Sequence, residues 1–357
     1  MGNITYAQMR IVETANNFRK LCYIYEDGAV AKEQLLETAR LLEDISGIER
    51  KYIEIDENRI QKLKKLFRQN GMVLAGLHLF SGKNGRVELE TSLRTIKNTC
   101  IQSVQAGKIF SDFFGYNLIP ASGSKRYITN QAEILIFETG PIYHTISGVS
   151  AVSKDKGKIS GDTYTCMDNR DGNTYVCMCD GMGTGLEAAG ISGTVIEMME
   201  YFFDTGFSEL VGIKLVNSAI VSRSEEKAFT LDLSIFDLHE GRCRMVKLGA
   251  MASYVIKRNG VKIVKSSSLP AGIFENVEPD VEEIELEDGD YVVMMTDGVV
   301  DALPFYDKEL EMSRIIDRIS RSSPKSMADR IRDEIMLYLG EEYKDDMTII
   351  VTGIWKK

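Results

Sequence analysis

The chain has 357 residues, 43 Lys plus Arg against 53 Asp plus Glu, and 44% hydrophobic residues, enough to bury the cores of one large or two ordinary domains. With 6 prolines, 6 cysteines and 27% charged residues, collagen, extended disorder and a disulfide scaffold are excluded. A net charge of -10 argues against nucleic acid as a partner, since phosphate neutralisation needs a basic surface.

In chain order, Ile4, Ala7, Ile11, Ala15, Phe18, Cys22 and Tyr25 recur at mostly three- and four-residue spacing, which predicts an N-terminal helix with one apolar stripe. A second periodic segment runs over 31–45. A basic helix is expected over 57–69; its Lys62, Lys64, Lys65 and Arg68 suit a solvated face better than a binding patch. Apolar runs at 72–80 and 86–90 flank Ser81-Gly82-Lys83-Asn84-Gly85 and predict a hairpin. Another helix is expected from about Leu93 into the 110s. These elements form a small α+β domain over 1–140, headed by the N-terminal helix and ending near Gly140-Pro141.

From Tyr127 onward the pattern turns to strands, at 132–137, 143–152, 174–179, 230–237, 244–249, 254–257, 281–286, 291–296 and 347–354. Helices enter in pairs, at 186–204 with 208–224 and at 308–320 with 324–339. Strand meanders with paired helices predict an α+β fold over 141–357, in which a two-sheet β-sandwich is flanked by helices; a parallel βαβ series is not expected.

The six cysteines, Cys22, Cys100, Cys166, Cys177, Cys179 and Cys243, show no Cys-x-x-Cys spacing and are expected as buried, reduced thiols. His78, His144 and His239 have no nucleophile motif around them, and Met198-Met199 and Met294-Met295 read as core filling. No leader-like start and no apolar run of about 18 residues is present. The expected location is therefore cytoplasmic, with a membrane involved only through a segment removed from the N-terminal side.

Four stretches place Asp at a strand end or turn beside small or acidic residues: Ser160-Gly161-Asp162, Asp180-Gly181-Met182-Gly183, Thr296-Asp297-Gly298 and Lys344-Asp345-Asp346-Met347-Thr348. An isolated Asp-Gly is most often an ordinary turn. The apolar runs 175–179 and 291–295, however, deliver Asp180 and Asp297 from buried strands, where a carboxylate is costly unless paired, hydrogen-bonded or bound to a metal. Four such groups in one cleft repel one another, and hard cations such as Mg²⁺ or Mn²⁺, which prefer oxygen ligands, resolve that conflict. A competing pattern, Gly183-x-Gly185-x-x-Ala188, matches a dinucleotide fingerprint. Asp180 would oppose a pyrophosphate there, and Asp204 closes a helix instead of ending a second strand.

Together with Thr230-Leu231-Asp232-Leu233, Leu248-Gly249-Ala250 and Ser268-Leu269-Pro270-x-Gly272-Ile273, these motifs resemble, in order over about 143–354, the PPM-type (protein phosphatase 2C-like) metal-dependent serine/threonine phosphatases, and most closely their sporulation branch. The Phe67-Arg68-Gln69-Asn70-Gly71 segment more loosely resembles that branch's regulatory region.

The resemblance implies a regulatory domain over 1–140, a phosphatase domain over 141–357 and a centre of two Mn²⁺ or Mg²⁺ ions. Asp180 would bridge both ions, Asp162 and the Gly181 carbonyl would serve one, and Asp297 and Asp345 the other; Asp180, Asp297 and Asp345 are the catalytic candidates. Asp346 stands where relatives often carry Asn, and Met182 where some carry a His proposed as general acid. The resemblance further implies a phosphoserine substrate on an anti-sigma-factor antagonist, a homodimer through the N-terminal or the 186–204 and 208–224 helices, and control by movement of those two helices. The competing expectation is a scaffold that kept the fold and acts by binding.

Overall fold

In the computed structural model, described residues are 51–357 apart from 82–85, 122, 155–159, 170–171, 184, 206, 222–227, 275 and 340–344, together with 11, 14–15, 35–40 and 42. The helices expected over 1–25 and 31–45 thus lie largely outside the described residues, as do Cys22 and the hairpin turn at 82–85. The chain divides into two compact units, Met1–Pro141 and Ile142–Lys357.

The first unit contains β1 (Lys51–Ile53), α1 (Glu57–Gln69), β2 (Met72–Ser81), β3 (Val87–Thr95), β4 (Ile101–Gln102), α2 (Ser103–Phe114), β5 (Leu118–Pro120), β6 (Tyr127–Ile128) and β7 (Glu133–Thr139). Asp56 starts α1 by accepting a hydrogen bond from the Asn58 N–H, which satisfies one of the orphan donors of a helix start. The main sheet runs β1-β2-β3-β7-β5, with every pairing antiparallel. Its core joins Leu63 and Phe67 of α1 and Phe110 of α2 to Leu89, Leu93, Leu135 and Phe137 of the sheet.

Here the structure corrects one expectation. Leu93 belongs to β3, because Val87, Leu89, Thr91, Leu93 and Thr95 alternate as buried positions with period two, and the helix starts only at Ser103.

The second unit contains β8 (Tyr143–Val152), β9 (Asp162–Asp168), β10 (Asn173–Gly181), α3 (Leu186–Thr205), α4 (Glu209–Val221), β11 (Phe229–Asp237), β12 (Arg242–Leu248), β13 (Ser253–Lys257), β14 (Gly260–Val264), β15 (Asp280–Glu285), β16 (Asp290–Met295), α5 (Asp297–Asp301), α6 (Lys308–Arg318), α7 (Pro324–Met336) and β17 (Met347–Lys356). Two five-stranded sheets result, β15-β12-β11-β10-β9 and β14-β13-β16-β17-β8.

The apolar runs of β10 and β16 follow from coverage on both faces. Val176 and Met178 point into the space between the sheets with Val292, Met294 and Ile350. Tyr175, Cys177 and Cys179 pack beneath α3 and α4, with Ile191, Val195, Met199 and Ile213. Tyr291, Val293 and Met295 pack beneath α6 and α7, with Met312, Ile316, Ile331 and Ile335. The expected two-sheet sandwich flanked by helix pairs is the observed architecture.

β10 lies between antiparallel β9 and β11, so Gly183 and Gly185 do not open a parallel βαβ unit and the dinucleotide reading is removed. The cysteine expectation needs correction too: Cys177, Cys179 and Cys243 are buried, but Cys100 and Cys166 are exposed. Cys100 lies in the irregular stretch just before β4, and Cys166 on the edge strand β9.

Candidate active site

Sheet pairing gathers the acidic motifs. Asp162 and Asp180 sit directly opposite each other across β9 and β10. Asp297 opens α5 immediately after β16, and Asp345-Asp346 precede β17, the neighbour of β16. Two positions there require glycine. A Cβ on Gly298 would collide with the Asp346 carbonyl oxygen, and one on Gly181 with the Ala188 carbonyl oxygen of α3. The first absence lets the chain after Asp297 reach the segment before β17, and the second lets α3 rest against the end of β10.

The side chains of two threonines stitch the sheets together at this edge. Asp162 Oδ2 accepts hydrogen bonds from Thr296 Oγ1 at 3.0 Å and Thr348 Oγ1 at 2.7 Å, and the Thr348 N–H donates to Thr296 Oγ1 at 2.9 Å. Asp346 has a different occupation. Its two oxygens accept the Lys154 and Gly161 backbone N–H groups, each at 2.7 Å. It is a clamp on the chain around the 155–159 segment, while its own N–H donates to Asp345 Oδ1 at 2.9 Å.

Electrostatics register the convergence. Burial, then repulsion from Asp162, Asp297, Asp345 and Asp346, pushes the Asp180 carboxyl up to about 8. Burial raises Asp162 to about 6, against the two threonine hydroxyls, with Asp346 and Asp297 adding to the rise. Asp297 is raised by burial and by Asp345. For Asp346 burial is outweighed by its two backbone hydrogen bonds, which hold it below the usual carboxylate range. The structure therefore brings Asp162, Asp180, Asp297, Asp345 and Asp346 within electrostatic reach of one another. Gly181 follows Asp180 as the last residue of β10, and Met182 is exposed.

Asp180 and Asp297 line a pocket of about 50 Å³ with Met178, Thr230, Asp232, Gly249, Ala250, Met251, Met295 and Thr296. Bonded to the Asp232 of this lining is a charged group that no motif assigned a role. Lys247 Nζ donates to Asp232 Oδ2 at 2.6 Å, Ser253 Oγ at 2.7 Å and the Met251 carbonyl at 2.8 Å. Lys247 and Asp232 are each 1% exposed. Asp232 Oδ1 is buried without a hydrogen-bond partner. A lysine set between Met245-Val246 and Leu248, at the apolar end of β12, is the signal available in the sequence.

The donors are oxygens of mutually repelling carboxyls, a set that suits Mg²⁺ or Mn²⁺ in type and charge. Among the described residues, no three His, Cys, Asp or Glu side chains yet close into a finished cage. The residues fit the group in donor type and charge.

A two-sheet sandwich covered by helices, with acidic side chains at one edge, defines a PP2C-type phosphatase fold, the class whose members depend on metal ions. A solved structure of the PP2C phosphatase domain and a fragment of the regulatory domain of SpoIIE from Bacillus subtilis has this fold, with a TM-score of 0.68, 22% identity and 98% coverage of both chains. The family model for Stage II sporulation protein E matches residues 170–354, more than half of the chain, and the chain belongs to that family. Stage II sporulation protein E of Bacillus subtilis (strain 168) is 24% identical over 333 residues, 93% of this chain and 40% of the relative. The corresponding protein of Priestia megaterium is 26% identical over 311 residues, 86% of this chain and 52% of the relative. The chain thus spans about half the length, or less, of these curated relatives. No described helix is long and apolar enough to cross a membrane.

Proposed function

We propose that the chain is a protein serine phosphatase whose 141–357 part hydrolyses phosphoserine on an anti-sigma-factor antagonist, under control of its 1–140 part. The convergence of Asp162, Asp180, Asp297 and Asp345 from four separate segments carries this reading, with family membership in support. Asp162, Asp180, the Gly181 carbonyl, Asp297 and Asp345 would hold two Mn²⁺ or Mg²⁺ ions. Such ions supply a water acidic enough to attack phosphorus and neutralise the phosphoryl oxygens.

The chain's own residues orient and exclude. Thr296 and Thr348 fix which Asp162 oxygen remains available. Asp346 is not a ligand in this reading, because both of its oxygens serve backbone N–H groups.

The helices α3 and α4 are the proposed control element. Gly181 touches α3, and Ser192 Oγ of α3 donates to the Gly161 carbonyl at 2.6 Å. Moving α3 therefore displaces the chain beside both Asp162 and Asp180, which gives the open cage a route to closure. Homodimerisation through the N-terminal helix or these helices, and a cytoplasmic location, belong to the same proposal. The scaffold reading is disfavoured by the retention of every acidic position.

The test is release of phosphate from a phosphoserine protein by the full chain with Mn²⁺, with EDTA, and with Asp180→Asn. Mn²⁺-dependent turnover that the variant lacks is expected. Turnover unaffected by EDTA, or Mn²⁺ binding with no turnover on any phosphoserine protein, overturns the assignment and in the second case favours the scaffold.

A further inference from the structure

The Asp232–Lys247 pair sits on the face of the first sheet that carries the acidic cluster. Asp180 is opposite Thr230 across β10 and β11, and Asp232 lies two residues further along β11, so its side chain emerges on the same face. Lys247 is directly opposite Asp232 on β12. Its three protons are all used, by Asp232 Oδ2, Ser253 Oγ and the Met251 carbonyl, which leaves none for a substrate. Asp232 is the group with spare capacity: it lines the pocket shared with Asp180 and Asp297, its Oδ2 takes Lys247 and the Ser253 hydroxyl at 2.8 Å, and its buried Oδ1 has no partner.

An unmatched buried carboxylate oxygen is costly. The pocket, at about 50 Å³, has room for water beside an ion. Mg²⁺ and Mn²⁺ held by few carboxylates keep several waters, whose protons need acceptors. Asp232 can supply one without adding net charge to an already crowded acidic cluster, because Lys247 neutralises it.

We propose that Asp232 is a positioning residue: its Oδ1 accepts a hydrogen bond from a water lying between it and the cation held by Asp180 and Asp297, and Lys247 and Ser253 hold the carboxylate in that orientation. The inference rests on the proposed metal centre and adds to it the group that orients one of its waters. Acceptors of this kind alter metal affinity about 10- to 100-fold when removed. If the pair served the fold alone, it could be exchanged for apolar residues with no change in metal binding.

Two double variants separate these roles. Asp232→Leu with Lys247→Met removes the ion pair and the acceptor; Asp232→Asn with Lys247→Met removes the ion pair but keeps an amide oxygen. Calorimetric titration of the full chain with Mn²⁺, beside its thermal unfolding, is the measurement. The Leu/Met variant is expected to bind Mn²⁺ about 10- to 100-fold more weakly than the wild type, and the Asn/Met variant to recover most of that loss at a similar melting temperature. Equal affinity in the wild type and both variants overturns the positioning role while leaving the metal centre intact. Mn²⁺ binding that is absent from the wild type, or unchanged by Asp180→Asn, overturns the metal centre and this inference with it. A crystal structure of the wild-type chain with Mn²⁺ decides the matter if the variants do not fold. A water bridging the ion and Asp232 Oδ1 at about 2.5–3.0 Å supports the role, and an ion in place with Oδ1 still unpartnered refutes it.

Discussion

The acidic cluster makes the metal-free protein sensitive to pH in an unusual direction. A carboxyl whose folded value lies above its unfolded value keeps its proton in the fold after the unfolded chain has released it, so stability falls as pH rises between the two values. For Asp180 that window runs from 3.8 to about 8, and for Asp162 from 3.8 to about 6. One such group costs up to about 1.4 kcal/mol per pH unit. Between about pH 5 and about pH 7 Asp180 alone therefore removes about 2–3 kcal/mol, or about 5–10 °C of melting temperature for a unit of this size.

The assay is thermal unfolding in EDTA across that range, followed by fluorescence of Trp355. It is the chain's single tryptophan and packs edge-on against Tyr291 at 5.6 Å within the second unit. Asp180→Asn should flatten the slope. Mn²⁺ at about one hundred times its dissociation constant at about pH 7 should add about 2.7 kcal/mol, and the same Mn²⁺ concentration should add less at lower pH, where protons compete for the carboxylates. A melting temperature in EDTA that is level or rises over this range, or an Asp180→Asn slope equal to that of the wild type, refutes the reasoning.

Three further outcomes are expected. Asp346→Ala frees the Lys154 and Gly161 N–H groups and should cost about 1–2 kcal/mol in urea unfolding, with a larger loss of turnover than of stability. Gly181→Ala drives a methyl into the Ala188 carbonyl; overpacking of this kind costs about 1–3 kcal/mol, and displacement of α3 should weaken Mn²⁺ binding in calorimetry. Lys247→Met alone leaves Asp232 buried with no cation beside it and should cost about 3–5 kcal/mol by denaturant titration, far more than removal of an exposed pair such as Lys325–Asp329.

Much of the architecture was legible in the amino-acid order because it rests on local periodicity. The continuous apolar runs of β10 and β16 announced strands covered on both faces, and Asp56 and the Ser323-Pro324 pair mark where α1 and α7 begin. The acidic motifs were visible too, since an Asp closing a buried strand is costly without a partner. Leu93 is ambiguous in the sequence because an alternating strand and the start of a helix share the same few apolar positions over a short window. The exposure of Cys166 is not legible in the sequence because β9, Asp162-Thr163-Tyr164-Thr165-Cys166-Met167-Asp168, lacks the apolar run that marks a strand, and its edge position follows only from the order of strands in the sheet.

The role of Asp346 and the partnership of Lys247 with Asp232 were decided by tertiary structure alone. The resemblance sets Asp346 apart from the other acids, at a position where relatives often carry Asn, but its partners, the Lys154 and Gly161 N–H groups, reach it only through folding, across a separation of 192 and 185 residues. Lys247 and Asp232 stand 15 positions apart and pair because β11 and β12 align them in register. Sequence sets which side chains carry charge and which segments are strands; sheet order and register set which charges meet, and repulsion or pairing among them depends on distances that only the folded chain defines.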